Sequence, residues 1–169
     1  MTRSATTMTA AIVLATCAAV MPAQAASGDE AAIKALETRF AAAFNAKDID
    51  AIMKVYAPDE SLLVFDVVPP RQYAGAKAYR KDWEGLLALF QGSPKFEISD
   101  LNVVAVGPLG YGHSIQRVSG TDTKGQPIDL TVRVTDVYRK LKGNWLIVHE
   151  HVSVPVDLDT GKPDLASKP

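Results

Sequence analysis

The sequence is poor in cysteine: its one cysteine, Cys17, lies in an N-terminal segment that we expect to be removed. A mature chain without cysteine forms no disulfide, so its stability has to come from a hydrophobic core. The chain also lacks a basic excess, because 18 Lys and Arg residues stand against 19 Asp and Glu residues. A nucleic-acid-binding surface is usually marked by clustered positive charge, so we expect no nucleic-acid partner. The sequence shows no internal repeat, which favours one globular domain.

A hydrophobic run long enough to cross a membrane is also lacking. The apolar run after Arg3 is rich in alanine, is interrupted by Thr16 and Pro22, and is shorter than the roughly 20 residues of a membrane-spanning helix. It ends in Ala23-Gln24-Ala25, which completes the layout of a secretory signal peptide. We expect residues 1–25 to be cleaved, leaving a periplasmic or secreted protein with no membrane contact. Lipidation of Cys17 is the alternative, since the residues before it faintly resemble a lipobox.

Cleavage after Ala25 leaves 169 − 25 = 144 residues, and a domain of about that size buries roughly 68–70% of the surface of its unfolded chain. One hydrophobic core is therefore enough. We assign this domain to residues 26–154. Residues 155–169 are polar and punctuated by Pro and Gly, which predicts a loose C-terminal tail.

Helical periodicity dominates the first part of the domain. Ser27 and Glu30 form a capping box that predicts the start of the first helix, and Asp48 is a typical N-cap for a second, short helix. Gly75 introduces a third helix over residues 76–90. The apolar residues that we expect these helices to bury are Ile33, Leu36, Phe40, Phe44, Ile49, Ile52, Met53, Tyr56, Tyr79, Trp83, Leu86, Leu87 and Phe90.

Strand patterns dominate the second part of the domain. A short buried strand is predicted at Leu62–Phe65, and four longer runs follow the third helix. Lys124-Gly125 and Lys142-Gly143-Asn144 lie between these runs and are typical of tight hairpin turns. Helices followed by a strand meander indicate an α+β fold, with the N-terminal helices packed on one face of a curved antiparallel sheet. The long strands are predicted at Phe96–Val106, Tyr111–Ser119, Ile128–Leu141 and Trp145–Val154.

Three segments, in this order, resemble the NTF2-like superfamily, which includes the SnoaL-like polyketide cyclases and the ketosteroid isomerases. The first is Arg39–Ile52, the second is Gly75 at the start of the long helix, and the third is the hairpin formed by Thr135–Lys140 and Trp145–Ser153. The hairpin also resembles the association domain of calmodulin-dependent protein kinase II. The resemblance implies a cone-shaped fold around a hydrophobic small-molecule pocket, and we expect a homodimer. It leaves the function open, because this fold hosts enzymes, binding proteins and assembly domains.

The resemblance to the ketosteroid isomerases implies roles for two carboxylates. Asp66 lies nine residues before Gly75, where those enzymes carry the Asp that shuttles the proton. Asp136 matches the Asp that donates a hydrogen bond to the developing oxyanion. Phe40 occupies the place of the catalytic Tyr, so the oxyanion site loses a donor, which costs roughly 10²–10³ in rate in known cases.

The residues themselves allow a catalytic and a structural interpretation of each carboxylate. Asp136 alternates with apolar residues, so we expect it on a largely apolar sheet face, where a carboxyl favours its neutral form; pairing with Arg117 or Arg139 is the structural alternative. Asp66 follows a buried strand, where a base could meet a ligand entering the cone. Its structural alternative is to cap the loop that starts at Val67.

His149 and His151 point to one face of the last strand, and Glu150 points to the other. Parity alone does not decide which face is inside, so the histidines are assigned to an interface or to the pocket. Two His at strand spacing are weak support for a metal site, and we expect neither a metal nor a cofactor. Glu150 shares its face of the strand with Leu146, Val148 and Val152, and if that face is the concave one, Glu150 joins Asp136 in the pocket. The expected ligand-pocket residues are Phe40, Tyr56, Trp83, His113 and Glu150.

Two functions therefore remain after the sequence has been considered. The first is an isomerase- or lyase-like enzyme that transfers a proton on a hydrophobic carbonyl compound, with Asp66 as base and Asp136 as acid. The second is a non-catalytic ligand-binding or oligomerisation domain. A shared cavity for the two carboxylates distinguishes the first function from the second.

Overall fold

The computed structural model of the chain describes residues 28–165 and residue 167. The predicted signal peptide and Ser27, the predicted helix cap, lie outside the described residues. Within these residues, three helices and six strands follow one another. Their bounds are α1 Gly28–Asn45, α2 Ile49–Met53, β1 Leu63–Phe65, β2 Tyr73–Ala74, α3 Ala76–Ala88, β3 Lys95–Val106, β4 Leu109–Thr121, β5 Pro127–Leu141 and β6 Asn144–Ser153.

Local sequence explains where the helices begin and how they attach to the sheet. The Asp48 side chain accepts a hydrogen bond of 2.9 Å from the backbone of Ala51, which confirms it as the N-cap of α2. At the C-terminal end of α1, the Asn45 side chain bonds the backbone of Phe96 twice, at 2.7 and 3.2 Å. Gly75 precedes α3 with a φ of 83°, a conformation that favours glycine.

The six strands form one sheet in the order β2-β1-β6-β5-β4-β3. Strands β3 to β6 make the predicted antiparallel meander, but β1 runs parallel to β6. The predicted antiparallel sheet is confirmed for β3 to β6, and the parallel β1–β6 pair makes the whole sheet mixed. The reason is topological: α3 and three long strands separate β1 from β6, and a connection of this length lets the two strands run in the same direction.

An aromatic core fills the space between the helices and the concave face of the sheet. Phe40 packs edge-on against Trp83, with ring centroids 5.5 Å apart, and Phe44 stacks on Phe96 at 4.6 Å. Most apolar helix residues predicted to be buried are buried, whereas Ile49, Met53 and Leu86 are partly buried. The helices therefore cover one face of the sheet, as expected.

A register shift in the last hairpin changes which side chains of β6 point inward. Val137 pairs with His149 but the next residue, Tyr138, pairs with Ile147, so β6 carries one extra residue at this point. Leu146 pairs with exposed Arg139 and lies on the outer face, whereas Ile147 is buried. The expectation that Leu146 shares a face with Glu150 is wrong, because strict alternation does not continue through a bulge.

The C-terminal segment is attached to the sheet rather than loose as far as it is described. Val156 forms a bridge with Pro163, and the Leu165 carbonyl accepts a hydrogen bond of 2.9 Å from the Thr131 amide. The β5–β6 pairing ends where Arg133 pairs with Ser153, the last residue of β6. Thr131 lies on β5 beyond that point, so the tail bonds to β5 backbone with which β6 does not pair. Among residues 28–165, no helix has the length and apolar character of a membrane span.

Candidate functional site

Three acidic side chains lie inside the domain. Glu37 on α1 and Asp136 on β5 are each 2% exposed, and Glu150 on β6 is 4% exposed. Asp136 and Glu150 are direct partners in the β5–β6 pairing, and side chains of such a pair lie next to each other on one face of the sheet. Glu150 therefore joins Asp136 on the concave side. We call Glu37, Asp136 and Glu150 the acidic cluster.

The Glu150 carboxyl is held by two phenols. Tyr56 donates to Oε2 at 2.9 Å, and Tyr79 donates to Oε1. Burial raises the pKa of Glu150 to about 7, although the two tyrosine hydrogen bonds oppose this rise. Since both of its oxygens already accept a hydrogen bond, Glu150 is the member of the cluster best arranged to carry negative charge.

The Tyr138 hydroxyl lies between the other two carboxyls. It is 2.8 Å from Glu37 Oε1 and 3.4 Å from Asp136 Oδ2. A phenol has one proton to give, so both contacts are hydrogen bonds only when one carboxyl is protonated. Burial raises the pKa of Glu37 to about 7, and burial together with nearby Glu150 and Glu37 raises the pKa of Asp136 well above its usual range. Asp136 is therefore the neutral carboxyl and Glu37 accepts from Tyr138.

The described part of the interior supplies no cation to this cluster. Its buried polar side chains are Glu37, Ser114, Gln116, Asp136 and Glu150, and none of them is basic. The structural alternative, in which Asp136 forms an ion pair with Arg117, is wrong, because the Arg117 guanidinium lies 2.7 Å from Asp129 instead. Carboxyls that are buried without a cation keep protons at a pH where exposed carboxyls have lost them.

Two interior polar atoms have no hydrogen-bond partner within the described residues. They are Asp136 Oδ1 and the indole Nε1 of Trp83. Native interiors seldom leave polar atoms unpaired. The indole N–H is a donor, and a protonated Asp136 is a donor that also faces the neighbouring Glu150 carboxyl.

Asp66 lies apart from the acidic cluster, at the edge of the sheet. It lines a cavity of about 250 Å³ with Asp82 and with apolar residues that include Leu86 and Leu130. Its Oδ1 accepts a hydrogen bond of 2.6 Å from the Val67 amide, so it also caps the loop that follows it. Burial, followed by the charge of Asp82, raises the pKa of Asp66.

The structure does not bring Asp66 and Asp136 to one cavity, which is a correction to the predicted base and acid. Asp66 lines the cavity at the sheet edge, whereas Asp136 is sealed among Tyr138, Glu37 and Glu150. The two regions are still adjacent, because the charge of Asp66 contributes to raising the pKa of Glu150. We call the cavity lined by Asp66 the mouth cavity.

The predicted pocket residues divide between the two faces of the sheet. Phe40, Tyr56 and Trp83 are buried in the interior beside the acidic cluster. His113 is exposed and pairs with exposed Thr135, so its assignment to the pocket is wrong. Alternation along β4 places it outward, because the inward positions are taken by Gly112 and Ser114.

The histidines of β6 lie on the outer face of the sheet rather than in the pocket. The ring of Phe65 contacts both His149 and His151, with centroid distances of 5.1 and 5.7 Å. His149 Nδ1 is 2.8 Å from the Leu63 carbonyl oxygen, which fixes the orientation of its ring. Within residues 28–165 and residue 167, no group of three His, Cys, Asp or Glu side chains is placed to hold a metal ion.

Glu37 is the functional candidate that sequence reasoning missed. It lies within the apolar stripe of α1, one residue after Leu36 and three before Phe40. A charged residue in the buried stripe of an amphipathic helix is an exception to the usual pattern. That exception is the signal in the sequence that identifies Glu37.

Comparison with known proteins agrees with this fold. A crystal structure of an NTF2-like protein of unknown function from Pseudomonas putida KT2440 is 33% identical, with a TM-score of 0.75, and the match covers 84% of this chain and 97% of that one. A structure from Xanthomonas campestris, named as a candidate calcium/calmodulin dependent protein kinase II association domain, is 26% identical over 80% of this chain and 91% of that one, with a TM-score of 0.63.

A ketosteroid isomerase-like protein from Erwinia carotovora atroseptica shares the fold, with 19% identity, a TM-score of 0.63, and coverage of 74% of this chain and 95% of that one. No curated protein matches the chain. The family model of the SnoaL-like domain matches residues 33–157, a span that contains the whole acidic cluster. The chain therefore belongs to the SnoaL-like domain family, within the NTF2-like fold.

Proposed function

We propose that this protein binds a hydrophobic carbonyl compound and transfers a proton on it, as an isomerase or lyase does. The observation that carries the proposal is the acidic cluster, in which Glu37, Asp136 and Glu150 are buried with no cation among the described residues. Ionisable groups that burial has shifted toward neutral pH are concentrated at functional sites. The proposed role requires two groups with different protonation states, and the cluster supplies them.

Because Asp66 and Asp136 do not line one cavity, we do not assign the base to Asp66, and Glu150 and Asp136 take the complementary roles. Removal of a proton next to a carbonyl requires a base near the C–H bond and a donor near the oxygen. Glu150, with a pKa of about 7, is the base because its ionised form is held by two phenols. Asp136 is the donor, because burial and the neighbouring carboxyls of Glu150 and Glu37 keep it neutral.

We propose that a ligand reaches these groups through the mouth cavity. It is lined mainly by apolar side chains, and one of them, Leu86, lies one turn of α3 beyond the buried Trp83. We propose that Asp66 acts at this entrance through its charge on Glu150 rather than as the base itself. The structural neighbour from Erwinia carotovora atroseptica is called ketosteroid isomerase-like, which supports a carbonyl substrate.

The test is turnover of a 3-oxo-Δ5-steroid and of small enolisable ketones by the purified protein, with deuterium exchange at the carbon next to the carbonyl as a second readout. We expect Glu150→Gln to lower kcat/KM by roughly 10²–10⁴ and Asp136→Leu to lower it by roughly 10²–10³. Asp159→Asn, a change at an exposed tail position, is the control and should leave turnover unchanged. Loss of turnover in Asp66→Asn but not in Glu150→Gln would assign the base to Asp66.

Binding without turnover is the second candidate function. It is favoured by the small exposure of the cluster and by Phe40, which provides no hydroxyl where the ketosteroid isomerases carry a catalytic Tyr. A protein that binds these ketones but neither converts them nor exchanges their protons belongs to this class. That outcome rejects the enzymatic proposal, provided that binding survives both Glu150→Gln and Asp136→Leu.

A further inference from the structure

The side of the acidic cluster that faces α1 has no role in the proposed chemistry of Glu150. Tyr138 and Asp136 lie between Glu37 and Glu150, with Tyr138 in contact with both Glu37 and Asp136. The Glu37 side chain is nevertheless almost completely buried. A buried carboxyl in a helix stripe is costly unless it has partners. Its one direct partner in the described structure is the Tyr138 hydroxyl, at 2.8 Å.

We propose that Asp136, Tyr138 and Glu37 form a proton relay in which the two carboxyls share one proton through the Tyr138 hydroxyl. In the resting arrangement Asp136 Oδ2 donates to Tyr138 Oη, and Tyr138 donates to Glu37 Oε1. When the proton moves, the Asp136 O–H bond breaks as a new O–H bond forms on Tyr138. The original Tyr138 O–H bond breaks as one forms on Glu37. The negative charge moves from Glu37 to Asp136, and no other reactant is needed.

The geometry determines at which end the proton rests. Asp136 lies next to Glu150 in the strand pairing, so moving the negative charge from Glu37 to Asp136 would bring it directly beside Glu150, and the proton therefore rests on Asp136. Glu37 is therefore a positioning residue, because its charge keeps Asp136 neutral. Asp136 has one proton, so it donates to Tyr138 in the resting relay and to the ligand oxygen only when a ligand is bound. The titratable groups around the relay are Glu37 on α1, Tyr56 after α2, Asp66 after β1, Tyr79 on α3, Tyr138 on β5 and Glu150 on β6.

The relay deepens the proposed function and rests on it for its use, but its protonation can be measured without any substrate. Infrared spectroscopy of the ligand-free protein detects the C=O stretch of a protonated carboxyl, and the band lost in Asp136→Asn belongs to Asp136. We expect this band in the wild-type protein to persist above neutral pH. We also expect it to change frequency as Glu37 titrates, because the Tyr138 hydroxyl reorients.

Two variants separate the relay from simple packing. In Glu37→Gln the frequency of the Asp136 band should no longer change with pH near neutrality. Asp136 should also lose its proton at a pH about one unit or more below the wild-type value. Tyr138→Phe keeps the shape of the ring but removes the link, so the frequency change should be lost even though both carboxyls remain. Tyr138→Phe also serves as the test if Glu37→Gln does not fold. Glu84→Gln, at an exposed helix position, is the matched control.

The outcomes distinguish the relay from the proposed function. An Asp136 band that titrates in Glu37→Gln and in Tyr138→Phe as it does in the wild type overturns the relay. If the band behaves as expected but no ketone is converted, the relay stands and the enzymatic proposal fails. If turnover is present, Glu37→Gln should shift the alkaline limb of the pH profile of kcat/KM to lower pH, whereas a merely structural role would leave that limb in place.

Discussion

At the residue scale, the acidic cluster makes stability depend on pH in a direction that is unusual for carboxyls. Carboxyls that form ion pairs stabilise a fold when they ionise, but Glu37 and Glu150 are buried without a cation. Burial raises the pKa of each from the ordinary value of 4.5 to about 7. Above pH 4.5 the unfolded chain has lost these protons while the folded chain still holds them, so stability falls as pH rises through this interval.

We predict that the free energy of unfolding, measured by urea denaturation, decreases between about pH 5 and about pH 7. The contribution of one such carboxyl is roughly 3 kcal/mol over the whole interval, at about 1.4 kcal/mol per pH unit. Glu37→Gln should flatten this dependence and should make the protein more stable than wild type at about pH 8, because a neutral amide replaces a buried charge. Glu84→Gln should keep the wild-type slope. A slope that is unchanged in Glu37→Gln contradicts the assignment of a raised pKa to Glu37.

At the element scale, two glycines in and next to α3 affect the stability of this helix for different reasons. One has a backbone conformation that favours glycine, and the other occupies a helix interior that favours alanine. Gly75 precedes α3 with φ 83° and ψ 150°, a region that is essentially restricted to glycine. A Cβ at Gly75 would also lie 2.3 Å from Glu60 Oε2, which has to move away. Gly85 lies inside α3, and a Cβ there meets no atom within 4 Å.

We therefore expect opposite effects from the same substitution at these two positions. Gly75→Ala should destabilise the protein by about 1–3 kcal/mol because it forces a strained backbone. Gly85→Ala should stabilise it by about 0.5–1 kcal/mol because alanine favours the helix interior. Thermal unfolding followed by circular dichroism measures both changes. Equal effects of the two substitutions would show that the conformation of Gly75 does not limit the stability of α3.

At the scale of the whole molecule, the outer face of the sheet is the surface where we propose that a second copy binds. Phe65 lies between His149 and His151 on this face, and partly buried Val137 pairs with His149 beside them. The same face carries Tyr111, which is 53% exposed. Aromatic residues are enriched at protein interfaces, and a continuous patch of them on a folded domain commonly marks one.

We predict that light scattering after size-exclusion chromatography gives the mass of a dimer, and that Val137→Lys converts it to a monomer. The introduced charge would lie at the centre of the patch, where it could not be hydrated in the dimer. Val106→Lys replaces a residue that is 76% exposed at the far end of β3 and is the control. A wild-type monomer, or a dimer that persists in Val137→Lys, excludes this face as the interface.

The helices and strands of this protein and much of its core follow from local patterns in the sequence. Apolar spacing located α1 and α3, Asp48 capped α2, and the alternating runs with glycine turns located β3 to β6. These features depend on interactions between residues close together in the chain, and such interactions can be inferred from spacing alone. The family resemblance of Arg39–Ile52 and of the last hairpin then gave the fold.

The site follows from tertiary packing, because it is formed by contacts between residues far apart in the chain. The bulge in β6 set which side chains face inward, so that Glu150 turned toward Asp136 and Leu146 turned outward. Packing of α1 on the sheet placed Glu37 Oε1 2.8 Å from the Tyr138 hydroxyl, although the two residues are 101 positions apart in the sequence. The same packing separated Asp66 from Asp136. Spacing predicts a face of a strand or helix, but only the packed structure shows which carboxyls share an interior and therefore share protons.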